Sequence, residues 1–154
     1  MTTVRDYARR RQNLMQHIGD GIAIVPSAPI ARRNGDVLYR YRPDSDFFYL
    51  TGFSEPETVA VVSPGRASGE FLIFCRERNR AEEMWDGHRA GLEGAVEIFN
   101  ADDAFPIDDI EDILPGLLEN RSKVYCNLGR YPDCDEQLLH WLSDVRHRKR
   151  NRIS

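Results

Sequence analysis

A mixed α/β fold, one β-sheet flanked by helices, is what this 154-residue sequence predicts, on three observations. Short apolar runs of strand length, IAIV at 22–25, TVAVV at 58–62 and FLIFC at 71–75, alternate along the chain with segments whose apolar residues recur at helical spacing. Two of these runs are joined by SPGRASGE, whose Pro-Gly and Ser-Gly pairs signal a hairpin, so part of the sheet is antiparallel. The composition, 41% hydrophobic and 10% aromatic, supplies the core of one domain, taken as residues 1–154.

The first helix is read from Val4, Tyr7, Ala8, Arg11, Leu14, Met15 and Ile18, with Thr3 as N-cap and Asp6 three positions on. Gly19 and Gly21 stop it, IAIV forms a buried strand ended by Pro26, and SAPIARRNGD at 27–36 is an irregular loop carrying Arg32, Arg33 and Asp36. YRYRPDSDFFYLTGFSEPE at 39–57 follows. In it Tyr39, Arg40, Tyr41 and Arg42 alternate rings with guanidiniums, as an interface edge would. Phe47, Phe48, Tyr49, Leu50 and Phe53 have the composition of a strand buried on both faces, with Ser45 and Asp46 capping the turn into it.

After the hairpin, RERNRAEEMWDGHRAG at 76–91 allows a helical turn or two and closes on Gly87 and Gly91. Ile107, Ile110, Ile113, Leu114, Leu117 and Leu118 keep a helical stripe that Pro115 should kink or divide, since proline lacks the N–H and crowds the preceding turn. KVYCN at 123–127 is another short strand. Leu138, Trp141, Leu142 and Val145 mark the apolar face of a last helix beginning near Asp133 or Asp135.

A net charge of -4 and a pI near 5.6 exclude a surface built mainly to hold nucleic acid or an anionic membrane. The basic stretch RHRKRNR at 146–152 has no aromatic platform and reads as cations at a helix end leading into a linker. No run reaches membrane-span length, and MTTVRDYARRRQ is too charged for a signal peptide, which predicts a cytoplasmic protein. Cys75, Cys126 and Cys134 show no CxxC spacing and read as reduced, largely buried thiols. His17, His88, His140 and His147 are scattered without HExxH, and no serine sits in a GxSxG elbow. The acidic residues Asp102, Asp103, Asp108, Asp109, Glu111 and Asp112 read as a solvated helix face near a helix N-terminus. The chain therefore offers no self-sufficient catalytic set.

RPDSDFFYLTGFSEPE, followed about thirty residues later by MWDGHRAG, resembles the N-terminal domain of the Xaa-Pro aminopeptidases. This is the aminopeptidase P family, related to the creatinase and prolidase N-domains. The likeness runs from YARRRQNLM to about the last helix. It implies a creatinase/prolidase N-terminal-like mixed sheet with helices, followed by a C-terminal pita-bread domain holding two divalent metals, commonly manganese. The chain ends at Ser154, before such a domain, and the two aspartates, one histidine and two glutamates that ligate those metals have no counterparts in it. The resemblance thus implies an N-domain without cofactor or activity of its own, whose parent is a homo-oligomer acting on peptides with proline second.

Trp85 sits in a polar segment with Met84 as its bulky apolar neighbour, so it must fold back onto the core or meet a partner. The resemblance implies that Trp85, with Asp36 of the 27–36 loop, reaches the active-site mouth of a neighbouring subunit and contributes to substrate binding there. Asp36 also reads as the last residue of an Asn-Gly-Asp turn. Two functions follow: an oligomerising, pocket-contributing domain of a metallopeptidase, or a free-standing non-catalytic protein-binding module of the same fold.

Overall fold

The computed structural model describes residues 2–28, 32–33, 37–38 and 44–153. Helix α1 (Val4–Ile18) starts where expected, because the Thr3 hydroxyl and the Asp6 carboxylate close a capping box, and it ends at Gly19. Strand β1 (Ile22–Pro26) follows. Within the 27–36 loop and beyond it, β2 (Arg32–Arg33) and β3 (Val37–Leu38) pair antiparallel as a separate ribbon. The Tyr39–Arg42 alternation lies outside the described residues.

The hairpin forms as predicted: β4 (Val59–Val62) and β5 (Phe71–Cys75) pair antiparallel, from Val62 opposite Phe71 to Val59 opposite Phe74. β4 also pairs antiparallel with β1. The flanks are parallel, β6 (Asp103–Pro106) beside β5 and β7 (Val124–Tyr125) beside β1, giving a five-stranded mixed sheet ordered β6-β5-β4-β1-β7.

The pleat sends alternate residues to two cores. Ala23, Ala60, Val62, Phe71 and Ile73 face α1, α2 and α4, while Ile22, Ile24, Val61, Leu72 and Phe74 face α5 and α6. Both faces are covered, so the central strands are apolar at every position instead of alternating.

The aromatic block departs from its predicted strand and forms helix α2 (Ser45–Thr51). Asp44, and not Ser45 or Asp46, decides this. Its carboxylate accepts from the Asp46 and Phe47 N–H groups, capping the helix start. Gly52 closes the helix at φ 71°, where a Cβ would lie 2.6 Å from the Tyr7 ring. Helical spacing divides the rings. Phe47 and Phe53 are fully buried, whereas Phe48 packs edge-on against Tyr7 and Tyr49 lies beneath the Arg10 guanidinium.

Asp44 also ties α2 to the segment before the last helix, accepting from Arg130 at 2.6 Å and the Tyr131 hydroxyl at 3.0 Å. Burial pushes the Asp44 carboxyl up, but the Phe47 N–H, Tyr131 and Arg130 outweigh it and hold it below the ordinary value of 3.8. A depressed folded-state pKa means stability present in full above 3.8 and lost as pH falls through the lower folded value. Asp44→Asn is therefore expected to destabilise the domain at pH 7 and to differ less and less from wild type below about pH 4 in urea unfolding. A gap constant from pH 7 to pH 3 would refute the assignment.

Helix α3 (Arg80–Asp86) occupies the polar stretch and α4 (Gly91–Glu97) follows it, with Gly91 opening α4 instead of closing a turn. A 3₁₀ turn (Ile107–Asp109) leads into α5 (Ile110–Leu118), which runs undivided through Pro115. Leu114, Pro115 and Leu118 are all buried, and that packing offsets the hydrogen bond the proline removes. Helix α6 (Pro132–Ile153) continues through the basic stretch, which is helix and not linker. Asp102 and Asp103 leave the predicted helix face: Asp102 accepts from the Glu70 and Phe71 N–H groups, and Asp103 pairs with Arg66 at 2.9 Å.

Candidate functional site

The two blocks TGFSEPE and WDGHRAG, about thirty residues apart in sequence, are joined through one carboxylate. Glu55 Oε2 accepts from the Ala90 N–H at 2.8 Å, and Glu55 Oε1 lies 3.5 Å from the Arg76 guanidinium, both side chains being nearly buried. Gly91 follows at φ 72°, where a Cβ would come within 2.5 Å of the Arg78 side chain.

Helix α3 stands on this base. The Asn79 side chain caps it by accepting from the Glu82 N–H, and Glu83 reaches back to the Asn79 N–H. Glu83 also accepts from the Arg89 N–H at 2.8 Å and pairs with Arg78 at 3.2 Å. The Arg89 N–H chiefly, with Arg78 assisting and burial opposing, holds the Glu83 carboxyl below its ordinary range. Arg89 is buried, donating to the Glu77 carbonyl and pairing with Glu82 at 2.8 Å. One end of a short helix and the chain returning from it are thus pinned to the same carboxylate.

The outer side of α3 is bare. Met84 is 86% exposed and Trp85 91% exposed, so Trp85 does not fold back onto its own core. An apolar pair held outward on a braced helix is a candidate interaction surface. Beneath α3 lies a cleft of about 440 Å³ with Arg76, Asn79, Glu82, Arg89 and Asp108 on its walls, and Trp85 is not among its lining residues. Asp36 lies outside the described residues, so of the two residues expected at a neighbouring subunit's active-site mouth Trp85 is the one described.

Burial disfavours the thiolate of each cysteine. Burial pushes Cys75 up to about 12, with Glu55 reinforcing the shift, and its Sγ faces the Gly91 carbonyl at 3.8 Å. Burial likewise raises Cys126 and Cys134, with Asp135 adding to both. All three are free. A thiolate nucleophile would need the opposite shift.

The Glu55 and Glu83 braces went unread in the sequence. The legible signal was the Asn79–Glu82–Glu83 spacing of a helix start; the long-range acceptor role of Glu55 had none.

This α/β layer presents an indole outward from a braced helix. Comparison with known proteins gives its family: residues 7–125 match the aminopeptidase P, N-terminal domain, and the chain belongs to that family. The aminopeptidase PepP of Pseudomonas aeruginosa superposes with a TM-score of 0.94 at 53% identity, over 97% of this chain and 34% of that one. Zinc-substituted Escherichia coli aminopeptidase P in complex with product superposes at 0.92, with 32% identity over 98% of this chain and 35% of that one. The Xaa-Pro aminopeptidase of Escherichia coli K12 is 33% identical over 152 residues, 97% of this chain and 34% of its own length. The mitochondrial intermediate cleaving peptidase 55 of Arabidopsis thaliana is 34% identical over 138 residues, 86% of this chain and 27% of its own. The chain spans about a third or less of the length of these relatives.

Proposed function

We propose that this chain is the oligomerising, substrate-pocket-contributing N-terminal domain of a metal-dependent Xaa-Pro aminopeptidase, which releases the N-terminal residue ahead of proline. The observation that carries the reading is Trp85, 91% exposed on a helix whose base is fastened by Glu55 and Glu83. Family membership and the likeness to PepP support it. In this reading Trp85 and Asp36 both contribute to a neighbouring subunit's active site, Trp85 as part of its wall. A flat indole packs on a proline ring or an extended backbone, and the water it excludes strengthens the electrostatics at the reacting bond.

Hydrolysis belongs, in the same reading, to a pita-bread domain with two divalent ions, manganese being the expected metal. The residues here do not fit that pair: the described His and carboxylate donors that converge are Glu111, His140 and Asp144, one on α5 and two on α6, enough for one ion and not for two. No step of the reaction is therefore routed through this chain. No helix among the described residues is long and apolar enough to cross a membrane, and the acidic net charge suits a cytoplasmic enzyme acting on peptides.

Because Trp85 contributes so little to its own core, Trp85→Ala should change the stability of the isolated domain by less than about 1 kcal/mol. In the full-length enzyme it should lower kcat/KM for an Xaa-Pro peptide roughly ten- to hundredfold, the equivalent of losing one well-buried ring contact. A rise in KM alone would mean uniform binding, and a fall in kcat would mean that the ring orients the scissile bond. Trp85→Phe should recover most of the loss. Unaltered kinetics with Trp85→Ala would sink the reading.

A further inference from the structure

On the opposite side of the sheet from α1, helices α5 and α6 lie against each other through Ile110, Leu114, Leu138 and Trp141. Where they meet at the surface, three potential ligands converge. His140 Nε2 lies 3.8 Å from Glu111 Oε2 and 3.7 Å from Asp144 Oδ2, and the three donor atoms lie within 4.8 Å of one another. His140 and Asp144 stand four residues apart on one face of α6, while Glu111 comes from the first turn of α5.

We propose that Glu111, His140 and Asp144 form a binding site for a single borderline divalent metal ion, zinc in the first instance, which clips α5 to α6. In a tetrahedral site two donors each about 2.1 Å from the ion lie about 3.4 Å apart, so each histidine–carboxylate pair needs to close by only about 0.4 Å. The remaining carboxylate pair closes by at most about 1.4 Å, a side-chain rotation on groups that solvent leaves free to move.

The donor set selects the ion. Carboxylates alone would suit magnesium or calcium, whereas an imidazole between two carboxylates moves the preference to zinc, nickel or copper. The Glu111 carboxylate is already oriented, since Trp141 Nε1–H donates to its Oε2 at 2.9 Å, the kind of outer hydrogen bond that positions a metal ligand. Each oxygen of that carboxylate keeps a lone pair for a cation. Three protein ligands leave the remaining position to water, and the ion braces the helix pair.

The chain contains two tryptophans, Trp85 and Trp141, so a Trp85→Phe background leaves Trp141 as the sole indole reporter beside the site. Chain 1–154 in that background is titrated with zinc chloride by calorimetry and with copper(II) chloride by fluorescence. One zinc should bind per chain, and copper should quench Trp141. At a hundredfold excess over the dissociation constant, zinc should raise the thermal midpoint by roughly 5 °C. His140→Ala should weaken zinc binding at least tenfold and abolish the quenching while leaving the metal-free midpoint unchanged. Glu111→Gln, which keeps an acceptor for Trp141, should also weaken binding. Magnesium should neither bind nor compete. The proposal is overturned if zinc fails to bind at millimolar concentration, if magnesium binds equally well, or if zinc binds His140→Ala with wild-type affinity. It is equally overturned if binding disappears only when Cys126 and Cys134 are replaced by Ser, which would move the ion to the thiols.

Discussion

Phe47→Ala should cost the domain roughly 3–5 kcal/mol, whereas Phe48→Ala at the next position should cost less than about 1.5 kcal/mol. Phe47 has no exposed surface and packs edge-on against Phe53 at 6.4 Å, which in turn meets Phe99 edge-on at 4.8 Å. Truncation would therefore leave a cavity among rings that cannot collapse to fill it. Phe48 is 39% exposed and leans on Tyr7 from outside. A buried strand would instead make both residues comparably costly, because neither face of such a strand meets water. Denaturant midpoints of the two variants decide the matter, and equal losses would restore the strand.

Glu55→Ala should be nearly as damaging, at about 3 kcal/mol. It leaves the almost buried Arg76 guanidinium without its counter-charge and the Ala90 N–H without its acceptor. Arg76→Ala alone should also destabilise, and the double variant Glu55→Ala/Arg76→Ala should lose less than the sum of the two, since removing both charges leaves none stranded. Additive losses would mean that the pair is not coupled and that the Ala90 bond accounts for the effect of Glu55. The same variants placed in the full-length enzyme should lower activity on Xaa-Pro peptides with Trp85 left intact, because α3 would no longer be held in one orientation.

What could be read from single residues was local. The Thr3–Asp6 cap, the β4–β5 hairpin and the strand at Ile22–Pro26 each follow from side chains within a few positions of one another, and each forms as predicted. Trp85 could be singled out for the same reason: a large ring amid charges has Met84 as its one bulky apolar neighbour in sequence, and in the fold it stays exposed.

The aromatic block shows where that reasoning stops. Five apolar residues among seven satisfy a buried strand and a short helix equally well, and composition does not separate the two. The choice falls to Asp44, whose carboxylate caps the helix and is held in turn by Arg130 and Tyr131, more than eighty residues away. Pro115 follows the same pattern, since its helix survives on burial against a sheet assembled from distant strands. Short-range hydrogen bonding and side-chain pattern are determined by the sequence itself. The conformation of a segment with two near-equal options, and the joining of TGFSEPE to WDGHRAG through Glu55, depend on contacts that exist only once the sheet has brought those residues together.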